Sequence, residues 1–251
     1  MFPGVAGRVR ELHCVQTETR KTSIWDLRSL KHLSKIRLDW HPRSMLLPRY
    51  TDRADRLPFA HVASSVIELE VRGLPWPSPL TFCNIHHIFP DLNVLRLQQE
   101  RIWCGLCHTC SVARFRSPGP GKIVYEAGVG LPMHYAQTFS ALQRLHTVFI
   151  TIPDFGGGST TLKEGGEFNK YLWAGECDRC MEVMYEDDAF RDSWVARKKG
   201  LSCTDKDSAK AVYVPPPALK RVEWRVWNAE GSEELDVQES EDEFSVSGEE
   251  S

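Results

Sequence analysis

The sequence predicts an α/β fold, an irregular stack of short strands and helices interrupted by a cysteine-rich insertion. Three observations lead there: a recurring apolar hexad, apolar residues at helical spacing between the hexads, and two Cys-x-x-Cys pairs. Alternation of apolar and polar residues over a few positions marks a half-buried strand, whereas apolar residues three and four apart mark a helix face.

The hexad reads apolar-x-x-apolar-x-apolar. It occurs as Val9, Leu12, Cys14; Leu33, Ile36, Leu38; Val66, Leu69, Val71; and Leu92, Leu95, Leu97. It returns as Leu145, Val148, Ile150 and as Leu219, Val222, Trp224. The first four starts are 24, 33 and 26 residues apart, and the next two gaps are 53 and 74, which calls for insertions. Trp25, Leu27, Leu30 and Leu33 approach helical spacing, as do Tyr135, Phe139, Leu142 and Leu145. Strand followed by helix at this period resembles a leucine-rich repeat, whose unit is roughly 20–29 residues, although its asparagine ladder is missing. An ordinary α/β domain with similar strands is the alternative.

Glycine and proline punctuate the chain. Ser117-Pro118-Gly119-Pro120-Gly121 predicts a loop, as does the run from Gly156 to Gly166. Pro215-Pro216-Pro217 stiffens the approach to the last hexad. Asp188 is placed to cap a helix carrying Phe190, Trp194 and Val195, which ends in Arg197-Lys198-Lys199 and Gly200. Cations suit the negative end of a helix dipole, and glycine suits the residue that leaves it.

Cys104-Gly-Leu-Cys107 and Cys177-Asp-Arg-Cys180 are separated by 69 residues. A two-residue gap lets both thiolates of a pair turn onto one ion, and two such pairs complete a tetrahedral zinc site. Cys104, Cys107, Cys177 and Cys180 are the expected ligands, with Cys110 and His108 as alternates. Four protein ligands leave no open position, so one structural zinc is expected rather than a catalytic one. Other readings of the cluster are reduced thiols without metal, an iron–sulfur cluster, a redox disulfide, or c-type haem attachment at Cys104 to His108. Haem attachment calls for an exported chain. Cys14, Cys83 and Cys203 stand alone and are expected to be core or surface thiols.

Other signals are weak. Asp154-Phe155-Gly156 lacks the companion motifs of a kinase, and no Gly-x-Ser-x-Gly or His-Glu-x-x-His occurs. His86, His87 and His134 have no evident carboxylate partners, and Trp224 and Trp227 are expected on a strand. No constellation supports catalysis. A metal-dependent or thiol redox enzyme built on the cysteine cluster is the alternative function.

With 251 residues, 41% of them hydrophobic, the chain can bury a substantial core. No run approaches the roughly 20 apolar residues of a membrane helix. Met1 to Leu12 lacks the apolar stretch of a signal peptide, so a cytoplasmic or nuclear protein without membrane partners is expected. The net charge of −3 conceals an asymmetry. Residues 229–251 hold ten of the 34 acidic residues and none of the 31 basic ones, leaving the body at +7. The expected organisation is a repeat-like α/β domain over 1–228 and an acidic disordered tail over 229–251. Basic residues in the body are scattered, so no nucleic-acid surface is expected. Ser240 and Ser247 each precede an acid by three residues, the pattern acidophilic kinases of the casein kinase class favour. The tail is a candidate to fold back on the basic body and compete with acidic partners.

The segments Leu33 to Trp40, Val66 to Trp76, Leu92 to Cys110, Leu142 to Gly158, Trp173 to Tyr185 and Leu219 to Trp227 together resemble fungal, mainly mushroom-type, F-box and leucine-rich-repeat-like proteins. The resemblance implies a repeat domain that holds a protein substrate, and an F-box that recruits the adaptor of a cullin-RING ubiquitin ligase. No Leu-Pro-x-Glu-type F-box opening precedes Val9. The function expected is a non-enzymatic protein-interaction module, a substrate-recognition part of a ubiquitin-ligase-type assembly, stabilised by structural zinc.

Overall fold

A computed structural model of the chain describes residues 6–16, 25–40, 57–74, 79–99, 102–104, 111–112, 121–126, 130–154, 180, 183, 186–198 and 214–228. The fold is α/β. Strands β1 (Glu11–Gln16), β2 (Lys35–Trp40), β3 (Glu68–Arg72) and β4 (Val94–Gln98) come first. A short hairpin of β5 (Ile102–Trp103) and β6 (Ser111–Val112) follows, then β7 (Gly121–Glu126), β8 (Thr147–Asp154) and β9 (Arg221–Asn228). Helices α1 (Ile85–Ile88), α2 (Met133–Phe139) and α3 (Asp188–Lys198) and a 3₁₀ turn at Pro79–Phe82 lie between them.

All but β5 and β6 join one sheet, in the order β1-β2-β3-β4-β8-β9-β7. Every neighbouring pair from β1 through β9 is parallel, and β7 closes the far edge antiparallel to β9. The six apolar hexads are the six parallel strands, and they stand in register. Leu12, Ile36, Leu69, Leu95, Val148 and Val222 form one row, and Cys14, Leu38, Val71, Leu97, Ile150 and Trp224 form the next. Side chains alternate across a strand, so both rows point to one face. All twelve are buried except Leu12, which is half-buried and packs against the core.

The first residue of five of the six hexads closes a turn. Leu33, Val66, Leu92, Leu145 and Leu219 each donate a backbone N–H to the carbonyl three residues back. One residue later, a single carbonyl ties each unit to the next. The carbonyls of Arg10, Ser34, Ile67, Asn93 and His146 each accept two N–H groups from the start of the following strand. Backbone pairing thus repeats although the connections differ greatly in length. Gly73 leaves β3 at φ 66°, and a Cβ there would lie 2.7 Å from the Trp40 carbonyl oxygen, so only glycine fits without strain.

Aromatic packing covers the apolar face. Phe82 meets Phe139 edge-on at 5.6 Å between ring centroids, Tyr135 lies 5.6 Å from Phe139, and Phe59 meets Phe89 at 5.3 Å. Trp224 crosses the core and donates its indole N–H to the Gly130 carbonyl at 2.8 Å.

Three local expectations are corrected. Trp25 to Leu33 is no helix: Leu30 and Leu33 donate to carbonyls three residues back in successive turns, and Trp25 bridges Phe59. Their spacing serves a tight turn, where i and i+3 also share a face. Helix α2 holds Tyr135 and Phe139 but ends before Leu142, which closes a turn onto the Phe139 carbonyl. The cap of α3 is Asp187, whose carboxylate accepts the Phe190 N–H at 2.9 Å, and Asp188 is already helical. Of the predicted loops, Gly121 opens β7, and Ser117 to Pro120 and Gly156 to Gly166 lie outside the described residues. Among the described residues, no helix is long and apolar enough to cross a membrane.

Candidate functional site: the open face of the sheet

Parallel sheets are ordinarily covered on both faces, and their strands then read as continuous apolar runs. Here the strands alternate, and among the described residues only one face is covered by the core. The other face carries charged and polar side chains in three rows.

The row nearest the strand starts runs Glu11, Lys35, Glu68, Val94, Thr147, Arg221 and Glu126. The middle row runs His13, Arg37, Glu70, Arg96, Phe149, Glu223 and Val124, and the third runs Val15, Asp39, Arg72, Gln98, Thr151, Arg225 and Lys122. Ion pairs lace the rows. Asp39 accepts from His13 at 2.5 Å and from Arg37 at 3.0 Å; Arg72 reaches Glu70 at 2.6 Å and Arg96 reaches Glu68 at 2.8 Å. Burial pushes the Asp39 carboxyl up, and the hydrogen bonds from Arg37 and His13 outweigh it, so its pKa lies below the ordinary value.

Glu223 is the most heavily engaged of these groups. Its side chain is 1% exposed, yet it sits on this face, covered by Arg221 at 2.5 Å, Arg225 at 2.8 Å and Lys122 at 3.2 Å. Burial raises its pKa and the hydrogen bonds from Arg221, Arg225 and Lys122 lower it, with a net depression. Next to it Phe149 is flanked by guanidinium groups: Arg96 lies 4.1 Å from the ring centroid and Arg225 5.4 Å. These distances are within the reach of cation–π attraction. Aromatic and arginine side chains are the types enriched at the cores of protein interfaces.

The two rows nearer the strand ends carry five cations, Arg37, Arg72, Arg96, Lys122 and Arg225, against three carboxylates, Asp39, Glu70 and Glu223. The row nearest the strand starts has the opposite balance, with Lys35 and Arg221 against Glu11, Glu68 and Glu126. Positive charge therefore concentrates toward the C-terminal ends of the strands, the side where the chain leaves β9.

The cysteines sit elsewhere. Cys104 directly follows β5 and is completely buried, and Cys180 is half-buried in a helical turn. Cys107, His108, Cys110 and Cys177 lie outside the described residues. Pairing of Ile102 with Val112 and Trp103 with Ser111 closes the base of the segment 104–110, which holds three cysteines and His108. With a buried thiol at its first position this segment fits a metal ligand set, since ionising a buried thiol requires a cation beside it. Among the described residues no group of three or more His, Cys, Asp or Glu side chains is placed to hold a metal.

Cys14 belongs to the core, where burial pushes its thiol up to about 11. Cys83 is exposed, with its sulfur 3.0 Å from the Asn84 carboxamide oxygen, and Cys203 lies outside the described residues. The His86 and His87 rings lie 3.8 Å apart, tilted by 42°, and burial together with the charge of His87 holds His86 below its ordinary pKa. His134 is buried and Asp154 ends β8. At the opposite end of the strands, Asn93, Gln143, Arg144, His146, Ala218 and Lys220 line a shallow cleft.

Sequence reasoning missed the charged face. The signal was available: the residues between the last two apolar positions of the six hexads are His13, Arg37, Glu70, Arg96, Phe149 and Glu223, and one apolar residue among them is out of pattern. No family model, curated protein or solved structure matches the chain.

Proposed function

We propose that the chain is a non-enzymatic protein-interaction module, an irregular leucine-rich-repeat-like stack whose open sheet face binds a protein partner. One observation carries this reading. Six parallel strands stand in register with one face that no described element covers, and on it Phe149 is held between Arg96 and Arg225. Stacked repeats use such surfaces for binding. The spacing of the hexads and the repeated tie of one carbonyl to two N–H groups support a repeat origin. The resemblance to F-box and leucine-rich-repeat-like proteins points to a substrate-recognition role in a ubiquitin-ligase-type assembly.

One structural zinc, held by Cys104, Cys107, Cys177 and Cys180, would join the insertion after β4 to the insertion after β8. Cys110 and His108 remain alternates. The complete burial of Cys104 favours a structural role over a reactive thiol, which requires access to solvent.

Affinity capture on the full chain, followed by amine-reactive cross-linking, tests the reading. Lys35 and Lys122 project from the open face, so links to the captured partner are expected at those two lysines. A partner linked only through lysines elsewhere, such as Lys220, contradicts the assignment of the face.

A further inference from the structure

We propose that the positive half of the open face is a docking strip for an acidic polypeptide, and that its resident occupant is the chain's own segment 229–251. The inference rests on the reading of the face as a binding surface and adds the chemistry of what it binds.

Charge complementarity is the first ground. The strip presents Arg37, Arg72, Arg96, Lys122 and Arg225, whereas residues 229–251 contain ten carboxylates and no Lys or Arg. At Glu223 the imbalance is local: two cations of the strip, Lys122 and Arg225, converge on one carboxylate that also accepts from Arg221, so the strip keeps a positive excess there. The tail also carries Phe244 among acids, an aromatic that suits the Arg–Phe149–Arg array.

Connectivity is the second ground. Strand β9 ends at Asn228, on the side of the sheet where the positive rows lie, and the acidic segment starts at the next residue. Extended, its 23 residues span about 75 Å at ~3.3 Å each. Crossing the four strand spacings from β9 to Arg37 on β2 takes only about 19 Å at ~4.8 Å each. Tethering keeps the segment at a high effective concentration, on the order of millimolar for a short linker, so weak contacts suffice for occupancy. An acidic partner must then displace the tail, which makes the tail a built-in competitor.

Carbodiimide cross-linking of the full chain tests this, since the reagent joins a carboxylate to a lysine amine without a spacer. At ~20 mM salt, links between Lys122 and Glu241, Asp242 or Glu243 are expected within single chains. At ~1 M salt, where screening acts over about 3 Å, those links should fall severalfold. The Lys35–Glu68 pair, 3.6 Å apart on neighbouring strands, reports on the face itself. Arg225→Gln should lower the Lys122–tail yield about threefold and leave Lys35–Glu68 unchanged. A normal Lys35–Glu68 link without tail links to Lys122, or with tail links insensitive to salt, overturns tail docking and leaves the module reading standing. Loss of the Lys35–Glu68 link would mean that the face is not formed as described, and both readings would fall together.

Discussion

Arg225 donates to Glu223 at 2.8 Å while its guanidinium carbon stands 5.4 Å from the Phe149 ring centroid, so one side chain joins a buried carboxylate to the half-buried aromatic of the open face. Glu223 is 1% exposed and its three cations are roughly half exposed. A buried carboxylate of this kind is held in place by its partners, and removing it leaves those partners without a counter-charge.

Glu223→Gln keeps the shape and loses the charge. It should destabilise the fold by about 1–2 kcal/mol, at the low end for a charged hydrogen-bonded group because the cations are solvated. The pH dependence follows from the depressed pKa of Glu223. The stabilisation is complete above the unfolded carboxylate value of about 4.3 and is lost as pH falls through the lower folded value. Thermal melting from pH 7 to pH 3 should therefore show a steeper loss below pH ~4 in the parent chain than in Glu223→Gln. Parallel curves would contradict the role given to this carboxylate.

Trp224 spans the core to the Gly130 carbonyl at 2.8 Å, and a Cβ on Gly130 would fall 2.1 Å from a ring carbon of Tyr125. Gly130→Ala should cost about 1–3 kcal/mol, because the Tyr125 ring must shift within a packed core. Trp224→Phe should cost a similar amount through the lost hydrogen bond and lost volume. Denaturant unfolding measures both, and a change below ~0.5 kcal/mol in either would show that the packing here is loose.

Cys14 is buried with its pKa raised to about 11, and Cys83 is exposed. The thiolate is the nucleophile, so the folded protein at pH 8 should be alkylated at Cys83 well before Cys14. Peptide mapping after a short iodoacetamide pulse reads the order. Equal labelling would mean that β1 opens on the timescale of the pulse.

If zinc joins the two insertions, the full chain purified under reducing conditions should carry about one zinc per molecule. Cys177→Ser should release it and lower the melting temperature. Structural zinc sites contribute on the order of 10 kcal/mol to folding at neutral pH, so the shift should be large. Elemental mass spectrometry with a melting curve checks both, and a metal-free parent chain or an unchanged melting curve removes zinc from the account.

Six of the nine described strands were legible in the sequence because a half-buried strand has a period of two and the same three apolar positions recur six times, whereas β5, β6 and β7 carry no such pattern. Their parallel order and register were not, since they depend on the backbone ties from Arg10, Ser34, Ile67, Asn93 and His146, and those carry no side-chain signature. The antiparallel docking of β7 on β9 was hidden for the same reason. Trp25 to Leu33 misled because turns and helices both bring residues three apart onto one side. The charged face escaped notice because its residues, taken singly, look like any solvated exterior. Only the register sets Phe149 between Arg96 and Arg225 and gathers three cations around Glu223.

The most direct measurement compares affinity capture by the parent chain with capture by the Arg96→Ala/Phe149→Ala double variant. Both side chains are on the open face and outside the core cluster, so the variant should melt within a few degrees of the parent. At matched folding the variant should recover the partner at least tenfold less well. Equal recovery by a folded variant would contradict the claim that this face is where the protein binds.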